Sequence, residues 1–257
     1  MRRGDAVVLS VSIALATIAV AIVAFSVFVL DRASHLASTD SSKADSSLLV
    51  VGWAPSLCRV SPVTVGCQSG RVSELGSTFI LHGLWPQPPA NQYCGVPESV
   101  ADQARNTHGS TMPAVQLTES VRTRLQPLMS DVSVMTSHEW YAHGTCSGVG
   151  PDEYFSDSAV LAEQVRKVLD PVFKAAQGNR VTLSTVRSLF DSEFGKGAGE
   201  RVDFLCRNVI GKGNVIFEVQ LSLPRVRDLA AADAVSLKDV LVKGPVLAGR
   251  CRGARVL

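Results

Sequence analysis

An unbroken run of apolar and small residues from Ala6 to Leu30, with all six cysteines lying after it, divides this chain before any fold is considered. A helix over that run is about 37 Å long, enough to cross a hydrocarbon core of roughly 30 Å. A cleavable signal peptide has an apolar region of only about 7–15 residues. The run is therefore read as an uncleaved transmembrane signal anchor over residues 6–30, with a signal peptide of extended core as the alternative. Arg2 and Arg3 hold the short N-terminal end, residues 1–5, in the cytoplasm. The remainder is then expected on the extracytoplasmic side, anchored to the membrane, or secreted if the helix is cleaved. No cysteine stands near the end of the run to take a lipid.

Cys58, Cys67, Cys94, Cys146, Cys206 and Cys251 fall in the exported part. An even count there reads as a disulfide framework whose connectivity the sequence alone does not choose. Residues 31–47, DRASHLASTDSSKADSS, carry no aromatic residue and too little apolar surface for a core, so they read as a flexible tether. The folded domain is expected over 48–257, a length suited to one sizeable core. The formal net charge of +2 marks no strongly basic nucleic-acid-binding face, so charge alone names no partner.

LLVVGWAP, from Leu48, has the pattern of a strand. STFILHGLWPQPP begins as another and is expected to break at Pro86, Pro88 and Pro89. Helices are predicted over 114–129, 157–169 and 184–194. RVDFLCRNVIGKGNVIFEVQLSL reads as a hairpin turning at Gly211-Lys212-Gly213-Asn214. Strands and helices interleave without a regular βαβ rhythm, which favours α+β.

The chemistry concentrates in HEWYAHGTCSG, residues 138–148. On a helix Glu139 and His143 are four apart and share a face. The two histidines are five apart, which rotates them away from the arrangement of a zinc protease helix. A cysteine nucleophile competes with the disulfide framework, and no serine elbow is present. Acid–base chemistry with two imidazoles remains, since an unperturbed pKa of ~6.5 lets one ring accept a proton while another donates. Attack by a ribose 2′-hydroxyl on its neighbouring phosphate needs such a base, an acid for the 5′-oxygen and a group to steady the phosphorane. His82, in FILHGLWPQ, is the candidate second imidazole, with Gly83 allowing close approach and Trp85 offering a stacking face. His35 in the tether and His108 in RNTHGST read as solvated residues.

FILHGLWPQ followed by HEWYAHGTCSG resembles the two active-site segments of the ribonuclease T2 family, the acid transferase-type endoribonucleases, with this chain a bacterial-like member. Weaker similarity runs through VGWAPSLC, Tyr154-Phe155 and the C-terminal hairpin, and spans roughly 48–257. The resemblance implies an α+β fold with a central antiparallel sheet, packed helices and disulfides. It implies His82 as general acid, His143 as general base, Glu139 as a stabiliser of the pentacovalent phosphate, His138 as a phosphate ligand and Trp85 at the base site. It implies the pairs Cys58–Cys67, Cys94–Cys146 and Cys206–Cys251. Activity on single-stranded RNA through 2′,3′-cyclic phosphates, without metal or cofactor and with low base specificity, follows from the same resemblance. Nothing calls for an obligate protein partner, and the catalytic domain is read as a monomer.

Ala142 departs from the pattern, because the family usually carries a lysine there. Losing one preorganised electrostatic contact costs ~10²–10³ in rate. The expectation is a slower enzyme unless a cation such as Arg207, Lys212 or Arg225 substitutes; a weakly active or inactive protein that binds RNA or a partner is the alternative.

Overall fold

The sheet order places an apolar strand, β1 (Ser46–Trp53), between β2 (Phe79–Gln87) and β5 (Gly213–Leu223), with β4 (Val202–Val209) pairing the far side of β5. Two short strands, β3 (Arg180–Thr182) and β6 (Gly253–Arg255), extend it. The computed structural model describes residues 44–105, 112–229 and 235–257, so the anchor expected over 6–30, most of the tether, His35 and His108 lie outside the described residues. Among the described residues no helix is long and apolar enough to cross a membrane. Among the described residues the strand pairings are antiparallel except the Val215–Arg255 contact of β5 with β6, and an isolated bridge, Gln177–Val256, is also parallel. The class is α+β.

Among the described residues, six helices of seven residues or more accompany the sheet: α1 (Ala54–Val60), α2 (Glu98–Arg105), α3 (Glu119–Leu125), α4 (Val132–Ala142), α5 (Pro151–Ala175) and α6 (Leu183–Phe194). Several bounds differ from expectation for local reasons. β1 begins at Ser46, inside the expected tether, because Ser47 is buried and its hydroxyl donates to the Pro224 carbonyl at 2.7 Å. β2 runs through Pro86 to Gln87; it is an edge of the sheet, where a missing N–H costs no ladder bond. The helix expected over 114–129 shrinks to α3, which starts after Thr118 and stops at Gln126, just before Pro127. The helix expected over 157–169 is the middle of α5, which opens with Pro151 at its first turn and continues because Phe155, Ala162, Leu169 and Phe173 are all buried.

The core joins α5 to the sheet through Trp53, Phe79 and Phe173, whose ring centroids lie 4.6–5.3 Å apart. α5 also clamps the start of β2: Asp170 accepts the Phe79 N–H at 2.9 Å, and Arg166 donates to the Phe79 carbonyl. At its other end the Tyr154 hydroxyl, fully buried, donates to the Leu84 carbonyl at 2.7 Å. Trp53 Nε1 donates to the Leu257 carbonyl at 2.8 Å, tying the chain end to β1. Disulfides join Cys58 to Cys67, Cys94 to Cys146 and Cys206 to Cys251.

Two irregularities in register decide where the site forms. Val50 opposes Gly83 while Val51 opposes Leu81, which leaves His82 as the extra residue of a bulge on β2. Leu205 opposes Glu218 while Cys206 opposes Ile216, which leaves Phe217 as the extra residue on β5. Bulges bend a strand and re-aim its side chains. Tyr154→Phe, which removes the donor to Leu84 inside the core, is expected to cost ~1–3 kcal/mol. Urea titration of the oxidised protein would show it as a lower midpoint at unchanged slope.

Candidate active site

The bulge on β2 and the last turn of α4 bring the five sequence-predicted residues, His82, Trp85, His138, Glu139 and His143, into one cluster. Asp131 caps α4, its carboxylate accepting the Val134 N–H at 3.1 Å. The helix then runs through His138, Glu139 and Ala142, and His143 follows as its C-terminal cap, with its N–H on the Glu139 carbonyl. Tyr93 N–H donates to the Ala142 carbonyl at 3.0 Å, and the Cys94–Cys146 disulfide fastens the adjoining segment to the same helix end.

Glu139 has no solvent exposure. Its Oε2 accepts the indole N–H of Trp85 at 2.9 Å, and its Oε1 has no hydrogen-bond partner. The nearest cation-forming atoms to Oε1 are His82 Nε2 at 3.7 Å and His138 Nε2 at 3.9 Å. A carboxylate oxygen held out of water without a partner is an electrostatic demand that an imidazolium or a protonated substrate group can meet. His138 donates its Nδ1–H to the Ala104 carbonyl at 3.0 Å, which turns Nε2 toward Glu139. Gly83 is required by this packing, because a Cβ there would lie 1.9 Å from Glu139 Oε2 and 2.6 Å from Trp85 Nε1.

His82 and His143 are tuned in opposite directions. Burial opposes charge on His82, but its bond to Glu218 and the charges of Glu218 and Glu139 outweigh that and hold its pKa up at about 9. Burial drives His143 down to about 4; Glu139 opposes the shift and His138 and His82 reinforce it. Between those values His82 is protonated and His143 is not, the state an acid and a base require. Trp85 touches both rings, stacked on His143 at a centroid distance of 5.0 Å and steeply inclined to His82 at 5.1 Å. One face of the indole is therefore taken by His143, while the residue also lines a cavity of about 290 Å³ with His143, Gln87, Gln92, Gln220 and Arg250.

Glu218 and Arg250 are the site residues that sequence reasoning missed. Glu218 Oε1 lies 2.8 Å from His82 Nδ1. Its signal was the polar row Glu218, Gln220 and Ser222 in an otherwise apolar strand, all buried. Arg250 reaches the cavity from the C-terminal segment; Nε donates to the buried Asp203 at 3.0 Å and Nη2 to Gln220. The cations offered as replacements for Ala142 lie elsewhere: Arg207 over the Phe217 ring, Arg225 on Asp228 at 2.6 Å and Lys212 in the β4–β5 turn. None of them lines the cavity that holds His143. Ala142 itself is buried.

Known proteins share this α+β plan of sheet and helices. The sequence profile described as Ribonuclease T2 family matches residues 44–233, and the chain belongs to that family. It is an RNA endonuclease. Ribonuclease MC of Momordica charantia is 28% identical over 169 residues, which cover 61% of this chain and 78% of that protein. Ribonuclease Rh of Rhizopus niveus is 28% identical over 138 residues, 48% of this chain and 58% of its own length. In fold the chain is similar to RNase NT, crystallised with 5′-AMP, at a TM-score of 0.51 and 21% identity over 84% of this chain and 98% of that one.

Gly83→Ala forces Glu139 or Trp85 out of place. It is expected to lower kcat on RNA by ~10²–10³, the size of one lost preorganised contact, with the circular dichroism spectrum unchanged.

Proposed function

We propose that this endoribonuclease cleaves single-stranded RNA by attack of the 2′-hydroxyl on the adjacent phosphate. His143 takes the 2′ proton, His82 Nε2 gives a proton to the departing 5′-oxygen, and a 2′,3′-cyclic phosphate results. The observation that carries this reading is the pair of imidazoles set to about 9 and about 4 around one buried carboxylate. Glu139 and His138 hold the phosphorane, Glu139 by accepting a proton-bearing phosphate oxygen or by keeping the imidazolium of His82 in place. With both proton transfers supplied by imidazoles, the chemistry assigns no step to a metal.

Low base specificity is supported by the cavity at Trp85, lined by the amide side chains of Gln87, Gln92 and Gln220, which carry both donor and acceptor atoms and no charge to select one base edge. Arg250 is the guanidinium facing that cavity, and we assign it the contact to anionic substrate that Ala142 does not provide. Export is supported by the pairing of all six cysteines in disulfides, which persist on the oxidising side of a membrane. The proposed arrangement is an anchor over 6–30, a tether, and a monomeric catalytic domain outside the cytoplasm, or a secreted domain if the anchor is cut.

Incubation of the oxidised protein with single-stranded RNA in excess EDTA should give ends bearing 2′,3′-cyclic phosphate, and His82→Ala and His143→Ala should each lose ~10²–10⁴ in rate. Full cleavage by either variant would overturn the assignment. kcat/KM is expected to rise as pH rises through about 4, where His143 gives up its proton, and to fall as pH passes about 9, where His82 gives up its own. Arg250→Gln should raise KM for RNA more than it lowers kcat, read from initial rates at varied RNA concentration.

A further inference from the structure

We propose that Glu218 is the positioning residue of the general acid, holding the His82 ring so that Nε2 faces the leaving group. The proposal rests on the reading of His82 as the acid and adds a residue to it.

Four observations converge on Glu218. Its side chain is 6% exposed and lies on a strand buried on both faces, a place where a carboxylate needs a partner. Its Oε1 is 2.8 Å from His82 Nδ1. A carboxylate only accepts, so Nδ1 carries the hydrogen and the ring presents Nε2 to the site, 3.7 Å from Glu139. The contact also spans two strand spacings, because β1 lies between β2 and β5. The residue that β1 sets opposite Glu218 is Gly52, which puts no side chain in the path and lines a small cavity with both His82 and Glu218. Finally, a bulge displaces His82 on β2, and a second bulge on β5 falls at Phe217, immediately before Glu218. Two independent departures from register thus serve one contact.

The charged and titratable groups around His82 are Glu218 from β5 and Glu139 from α4, with His143 beyond the Trp85 ring and His138 on the other side of Glu139. Glu218 therefore has two effects that can be separated. It orients the ring, and with Glu139 it keeps the ring charged against the cost of burial. During cleavage the Nε2–H bond breaks as the O5′–H bond forms and the P–O5′ bond breaks. The Nδ1–H bond to Glu218 stays intact, so the neutral ring remains aimed for the return of the proton.

The test compares the full-length protein with Glu218→Gln on two substrates over a range of pH. One is a dinucleoside phosphate, whose 5′-alkoxide needs a proton to leave. The other is a uridine 3′-(4-nitrophenyl phosphate), whose phenolate leaves without one. On the dinucleotide the rate loss should deepen about tenfold between pH 6 and pH 8, as the ring pKa falls toward the ordinary ~6.5. On the nitrophenyl ester the loss should be small and flat with pH. Equal, pH-independent loss on both substrates would mean a structural role only and would overturn the proposal. If Glu218→Gln does not fold, Glu218→Asp keeps the charge but shortens the reach. It should lower kcat on the dinucleotide more than on the ester, and equal effects would again overturn the proposal. His82→Ala separates the two claims. An active His82→Ala protein would sink the assignment of the acid itself. An inactive one beside a Glu218→Gln protein that matches wild type at every pH would sink only the role of Glu218.

Discussion

A carboxylate with no exposure, Glu139 at the end of α4, is the constraint around which the site is arranged. One oxygen is satisfied by the Trp85 indole and the other by no hydrogen bond, so every neighbouring element is placed to supply positive charge or to avoid a clash. The segment His82-Gly83-Leu84-Trp85 answers this within four residues. His82 brings an imidazolium near Oε1, Gly83 leaves the space that Oε2 fills, and Trp85 donates to Oε2. Leu84 turns the other way into the core, where Tyr154 holds its carbonyl. Site-facing and core-facing residues thus alternate along one edge strand.

The sheet contributes more than support. Its central strand β5 carries a buried polar row, Glu218, Gln220 and Ser222, inside an otherwise apolar run. Glu218 meets the imidazole on β2, and Gln220 meets the guanidinium of Arg250. Buried polar groups are costly singly and specific when connected. Here the connections reach from the first strand pair to the C-terminal segment, which the Cys206–Cys251 disulfide and the Trp53–Leu257 hydrogen bond fasten to the sheet.

Much of this was legible in the sequence because the candidate site residues sit in two short segments whose local structure sets their positions. FILHGLWPQ is a strand and HEWYA closes a helix, as their patterns indicate. The hairpin of β4 and β5 was legible from two apolar runs around a glycine turn. What the pattern did not convey depends on tertiary contact. Pro86 reads as a strand breaker, yet β2 is an edge strand and needs no N–H there. The span over 114–129 has helical periodicity, but Thr118 and Pro127 confine the helix to seven residues. Glu218 lies 136 residues from His82 in sequence, and no local rule links a bulge on one strand to a carboxylate two strands away. Arg250 was equally out of reach, since its place depends on a disulfide and a buried aspartate.

The indole of Trp85 touches both imidazoles, and those imidazoles share no hydrogen bond with each other among the described residues. In the proposed cycle this makes the ring an insulator. A proton collected by His143 has no direct hydrogen bond to His82 along which to pass. Once the first bond is cut the enzyme is left with its charges inverted, the proton on the ring that holds it weakly and missing from the ring that holds it strongly. In the proposed cycle, proton exchange with solvent would discharge the one and recharge the other. In that proposed cycle, rearming the site does not depend on hydrolysis of the cyclic ester.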